Sequence, residues 1–374
     1  FPAPEFSFSR YLEAMLREQY PDTRFEVANA TMTAANSHMM VPVARDCATL
    51  DPDLLVVYMG NNEVVGPYGP GTVFAGASPS LWAIRTGIWI KTTRTRQLLG
   101  NTVGSASGEG SGEWRGMEMF LENLVPADDA RLPATYSHFR KARELDALRF
   151  RADATINATI RDVAAASGTE VMLADAEKSF GLLAEVAGSP GEELFFDHVH
   201  PNYRGNYEMA RSVFQAVVGE LPAEIAGQGT GEIPSFERCN DRLAMTQPDR
   251  LRHIASLWGL TQRPPFTNQL NYVDMQGRML ARREALWAEP VSLAEIAALC
   301  ESASMAAPDD ATLHIMAATM QNKMKNVAAA EAHLAEAKRL LPNEIQIYAV
   351  EMMMYLDMRD LPRAEAAMAT VRAA

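Results

Sequence analysis

Asp53-Leu54-Leu55-Val56-Val57-Tyr58-Met59-Gly60-Asn61-Asn62-Glu63 is the stretch on which the reading of the fold turns. Residues 54–59 are apolar without a break. Such a run predicts a strand buried on both faces of a parallel sheet. Gly60-Asn61-Asn62-Glu63 then reads as a turn at the strand's C-terminal end, the edge where open α/β sheets place ligands.

Working outward, residues 8–19 (FSRYLEAMLREQ) predict an amphipathic helix with Phe8, Tyr11, Leu12, Met15 and Leu16 on one face. Strands are expected at 24–29 (RFEVAN) and 170–174 (EVMLA). Helices are expected at 41–48, 116–124, across 134–167 and at 207–218. Strands alternating with helices imply an α/β sandwich with a mostly parallel sheet. Three strands are fewer than such a domain needs, and no turn separates Arg140 from Lys141. The start, FPAPEFSF, is apolar and broken by proline. These features lead us to expect sequence upstream of Phe1 and sequence omitted within the chain.

The 374 residues allow a large core and two domains, with 48% hydrophobic and 22% charged residues. A formal net charge of -13 excludes the basic footprint that nucleic acid or an anionic membrane would require. No apolar run reaches the length of about eighteen residues that spans a bilayer. Cys47, Cys239 and Cys300 lie far apart and match no metal spacing. The histidines His38, His138, His253, His314 and His333 are scattered, and no metal and no organic cofactor is expected.

Two Gly/Ser-rich stretches punctuate the chain, at 100–113 and 222–235. Beyond the second, helical patterning runs to the end. Pro308 and Pro342 stand 34 residues apart, the tetratricopeptide period. Ala318, Ala330, Leu334 and Ala337 occupy the small or apolar positions where two helices would cross, and Ala364 and Met368 repeat Ala330 and Leu334. A fainter earlier copy carries Trp287, Cys300 and Ala303. The domains expected are 1–221, a connecting segment 222–285, and tetratricopeptide-like repeats over 286–374.

Chemistry concentrates in Phe195-Phe196-Asp197-His198-Val199-His200-Pro201-Asn202. A carboxylate three residues before an imidazole can hold its tautomer and stabilise the imidazolium formed when it takes a hydroxyl proton. That makes Asp197 a candidate orienting acid and His200 a candidate general base. His198, the neighbouring imidazole, has the wrong spacing. The side-chain amide of Asn62, past the apolar run, could donate to an oxyanion.

With VVYMGNNEVVGPYG and DHVHPNYRGNYEMA, residues 1–220 resemble the SGNH or GDSL-type serine hydrolases. The resemblance implies a flavodoxin-like three-layer sandwich and hydrolysis of acyl or acetyl esters. It places the N–H of Ala34 in the oxyanion hole with Asn62. Glu63 stands where the family has aspartate, and Ala34 where it has glycine. The nucleophile block has no match. Ser7 follows no strand and Ser37 follows the second one, so the serine is expected upstream of Phe1. Followed by tetratricopeptide-like helices, the chain is similar to bacterial SGNH-repeat fusions. That implies a protein partner on the repeats and an upstream anchor holding the protein on the periplasmic or outer side. Two alternatives stay open: an inactive scaffold of the same fold, and an O-acyltransferase acting on carbohydrate.

Overall fold

A computed structural model describes residues 4–32, 35–69, 80–92, 151–184, 189–197, 199–263, 266–268 and 271–373. The described residues form fifteen α-helices. They are α1 (Phe8–Gln19), α2 (Ser37–Ala48), α3 (Leu81–Thr92), α4 (Ala154–Ala166), α5 (Ala176–Leu183), α6 (Tyr203–Val218), α7 (Ala223–Ala226) and α8 (Phe236–Arg242). There follow α9 (Gln247–Thr261), α10 (Tyr272–Ala288), α11 (Leu293–Ala306), α12 (Ala311–Lys323), α13 (Val327–Leu340), α14 (Ile345–Asp357) and α15 (Leu361–Ala373).

This corrects the expected fold class. Among the described residues there is no strand, only two isolated bridges, Gly60 to Asn62 and Phe195 to Pro201. Residues 24–29, 54–59 and 171–174 are irregular. Leu54, Leu55, Val56, Val57 and Tyr58 are 43–73% exposed. A central parallel strand needs a ladder on both edges and helices on both faces. Among the described residues this run pairs in no ladder. The flavodoxin-like sandwich therefore falls, and with it the resemblance to SGNH and GDSL hydrolases, because that family is built on a parallel sheet. The expected helix at 116–124, the part of the expected helical stretch over 134–150, and the linker at 100–113 lie outside the described residues.

The chain divides into two compact units. One comprises Phe1–Val27, Asn206–Thr261 and Leu270–Ala374; the other comprises Ala28–Gly205 and Gln262–Gln269.

In the first unit α1 buries Tyr11, Leu12, Met15 and Leu16. The Tyr11 ring stacks on Phe236 of α8 at 6.1 Å, and its hydroxyl donates to Asn240 Oδ1 at 2.7 Å. The opposite side of α1 is ionic. Arg10 pairs with Asp310, Arg17 with Asp309, and both with Glu13 between them.

Helices α11 to α15 repeat with a 34-residue period. The starts Leu293, Val327 and Leu361 belong to α11, α13 and α15, while Ala311 and Ile345 open α12 and α14. Equivalent positions are buried in register: Ile296, Ala330 and Ala364 at one, Ala303 and Ala337 at another. Small side chains let the helices approach closely, as at Ala318 and Ala330, both fully buried in one cluster with Leu334, Ile347 and Met354. Trp287, read as part of the earlier copy, is 65% exposed.

The caps repeat too. Asp310 and Glu344 cap α12 and α14. Lys325 and Arg359 follow their C-caps in the left-handed region, at φ 62° and 59°. At each, two backbone bonds close a Schellman motif: Lys325 N to Asn322 O and Asn326 N to Gln321 O, then Arg359 N to Leu356 O and Asp360 N to Tyr355 O.

Candidate functional site

The Asp197–His200 pair is built by a tight loop leading into α6. Asn202 precedes α6, and its Oδ1 accepts the Gly205 N–H at 2.9 Å, an N-capping bond. Its Nδ2 donates to the Glu192 carbonyl at 2.8 Å, and its backbone N–H to the Leu194 carbonyl at 2.8 Å. Gly205 is required here, because a Cβ would lie 2.1 Å from the Leu194 oxygen. Phe195 packs edge-on to Phe180 and Phe196 to Tyr203, which anchors both flanks of the loop.

Within that loop His200 Nδ1 lies 2.7 Å from Asp197 Oδ2. Asp197 Oδ1 accepts the backbone N–H groups of Val199 and His200, each at 2.8 Å. The Asp197 side chain is 5% exposed, the His200 side chain 41%. Three hydrogen bonds thus fix a buried carboxylate, and the carboxylate fixes one ring nitrogen. The imidazole is oriented with Nε2 as the nitrogen for proton transfer. His198 lies outside the described residues.

Asn62 sits in a second constellation of the same unit. It adopts φ 63°, and its Nδ2 donates to the Ala35 carbonyl at 3.3 Å. Its carbonyl accepts the Gly66 N–H at 2.7 Å. Glu63, read in the sequence only as a departure from a motif, binds the start of α2. Its two oxygens accept the Ser37 backbone N–H at 2.9 Å and the Ser37 hydroxyl at 2.7 Å. A carboxylate there satisfies an orphan helix N–H and complements the helix dipole. Asn36 is fully buried and donates to the Pro67 carbonyl at 2.7 Å. Ala34 lies outside the described residues.

The structure therefore brings Asp197 and His200 into direct contact and ties Asn62 to the chain before α2. Sequence reading missed the Ser37–Glu63 pair and a cluster of Glu301, His314 and His333. A signal for the cluster existed. If α12 and α13 form an antiparallel hairpin crossing at Ala318 and Ala330, then His314, four residues before one, faces His333, three residues after the other.

Among the described residues no group of three or more potential ligands could hold a metal ion, and no helix is long and apolar enough to cross a membrane. No protein-family model matches the chain, and searches of curated proteins and of solved structures give no match.

Proposed function

We propose that Asp197 and His200 form the proton-transfer dyad of an enzyme acting on acyl or acetyl esters. The dyad is argued from the geometry of the site and not from a fold. The observation that carries it is the 2.7 Å bond from His200 Nδ1 to a buried Asp197 that is itself held by two backbone N–H groups.

His200 Nε2 takes the proton of an attacking hydroxyl as its oxygen bonds to the ester carbon. Asp197 stabilises the imidazolium. As the tetrahedral intermediate collapses, the C–O bond to the leaving alcohol breaks and His200 returns the proton to that oxygen. In this proposal Asn62, which spends one amide N–H on Ala35, would offer the other to the oxyanion. The chemistry calls on no cofactor. The same steps with a sugar hydroxyl as acceptor would make the enzyme an O-acyltransferase.

The test is turnover of short-chain p-nitrophenyl esters, combined with fluorophosphonate labelling and peptide mapping. We expect His200→Ala to lower kcat/KM by at least about a hundredfold. A mapped serine adduct that disappears in His200→Ala identifies the attacking hydroxyl as a side chain. Turnover without adduct assigns it to water. Neither turnover nor adduct sinks the proposal.

A second function is favoured by the 34-residue register of α11 to α15. Arrays of helices stacked in this way present extended surfaces for a protein partner. Crosslinking of the full chain in its source cells, with loss of the crosslink on substituting exposed residues of α12 and α14, tests it.

A further inference from the structure

His314 on α12 and His333 on α13 face each other with their Nδ1 atoms 2.9 Å apart. His314 Nε2 lies 3.0 Å from the Pro308 carbonyl oxygen. His333 Nε2 lies 3.0 Å from Glu301 Oε2 on α11, which also accepts from Gln321 Nε2 at 3.0 Å. The two imidazoles are 8% and 13% exposed. One unbroken chain of contacts therefore links three consecutive helices and the turn before α12.

The Pro308 carbonyl only accepts, so His314 carries a proton on Nε2. The link between the two Nδ1 atoms takes one hydrogen, and the link to Glu301 takes one more. Three hydrogens are needed, and two neutral imidazoles supply two. The third sits on the rings or on the carboxylate. Burial alone would push the Glu301 carboxyl up, but the hydrogen bonds from His333 and Gln321 and the nearness of the two histidines hold it below the usual range. With the carboxylate ionised, the count leaves one positive charge to be shared by the two rings.

The other charged groups nearby fit this count. Glu336, one turn beyond His333 on α13, faces His314 and is held by Arg339 at 2.6 Å. Asp310, one turn before His314, is committed to Arg10.

We propose that Glu301, His314 and His333 form a one-proton switch that closes the junction of α11, α12 and α13. With one shared imidazolium all three links are made. Losing that proton leaves two acceptors opposed across one of the links. Gaining a second sets two N–H groups and two positive charges against each other across 2.9 Å. Either change breaks a link, so the junction responds to the gain or loss of a single proton.

The test uses the full chain. Nitrogen-15 spectra of the imidazoles from pH 5 to 9 should show three N–H protons on the two rings near neutrality, with His314 protonated on Nε2. Amide exchange in α12 and α13, corrected for its intrinsic pH dependence, should give a closing constant that falls by up to about tenfold per pH unit on the alkaline side. Glu301→Gln should abolish that slope, because a neutral amide can donate to His333 Nε2 without the extra proton. His333→Gln should abolish it too, and where that variant does not fold, the spectra and Glu301→Gln decide. Two neutral rings at pH 7, or the same slope in Glu301→Gln as in the wild type, overturns the switch.

Discussion

The run 54–58 and the helices from Leu293 onward are both rich in apolar residues, yet only the second set contains fully buried ones. Leu54 to Tyr58 stand 43–73% exposed, whereas Leu334, Ile347 and Met354 are at most 2% exposed. The difference lies in where each element finds its partners. A helix satisfies its backbone by i to i−4 bonds within itself, so its apolar stripe needs only another helix, supplied here within one 34-residue period. An extended run leaves every second N–H and C=O to a neighbouring strand, which in a parallel sheet comes from a distant part of the chain.

The sharpest way to break this comparison is a matched pair of truncations. Leu334→Ala should cost about 2–5 kcal/mol, the range for deleting a buried leucine in a close-packed site. Val57→Ala, at a position 73% exposed, should stay within about 0.5 kcal/mol. Urea denaturation followed by circular dichroism reads both. A loss of several kcal/mol from Val57→Ala would mean that the run is packed in solution, and would remove the contrast.

Asp310→Ala tests how the repeats are joined to α1. Asp310 Oδ1 accepts the N–H groups of Thr312 and Leu313, and its other oxygen holds Arg10. Losing the cap costs about 1–2 kcal/mol, and leaving Arg10 with Glu13 as its one carboxylate partner among the described residues adds to it. Arg10→Met should then recover part of the loss in the double variant. Additive losses would show that the ion pair contributes nothing across the two elements.

What the sequence disclosed follows the same division. The α1 face of Tyr11, Leu12, Met15 and Leu16 was legible because 3.6-residue periodicity marks a buried stripe without reference to the rest of the chain. The 34-residue spacing of Pro308 and Pro342 pointed to the period that α12 and α14 display, because each copy carries its own turn, cap and small residues. The sheet was misread because an apolar run fixes only the wish for partners. Periodicity cannot tell whether strands exist to meet it. At the site, the Asp197–His200 contact was legible because a three-residue spacing on one loop is itself local. The Ser37–Glu63 and His314–His333–Glu301 contacts were not, because they depend on which helix end or hairpin face comes alongside.

A smaller effect, opposite in sign, sharpens the account of the repeats. Lys325 holds φ 62° after α12, where a Cβ is unfavourable, and its ammonium meets Asp357 only at 4.0 Å while 74% exposed. Lys325→Gly removes the strain and loses an ion pair of little worth. We expect the melting temperature to rise, with a gain of about 0.5–1 kcal/mol. Arg359→Gly, at the equivalent position 34 residues on, should do the same. A rise in one and a fall in the other would show that the two turns are not equivalent in solution.

The smallest effect belongs to the unit of Ala28–Gly205, and there too the contact is local. Arg161 on α4 forks onto Asp175, its Nε and Nη2 lying 2.9 and 3.0 Å from the two oxygens, and also reaches Glu177 at 2.8 Å. The hydrogen bond from Arg161 holds the Asp175 carboxyl below the usual aspartate range, against the opposing effect of burial. A carboxyl lowered in the folded state stabilises the fold above its unfolded value, near pH 4, and the contribution vanishes as pH falls through the folded value. Arg161 is 39% exposed, so solvent screens the pair. Arg161→Gln should therefore cost about 0.5 kcal/mol at pH 7 and nothing below the folded value of Asp175. A cost that persists into strong acid would mean that the Arg161 stem, and not its charge, ties α4 to α5. The unit would then share with the repeats a dependence on helix-to-helix packing that its exposed run 54–58 lacks.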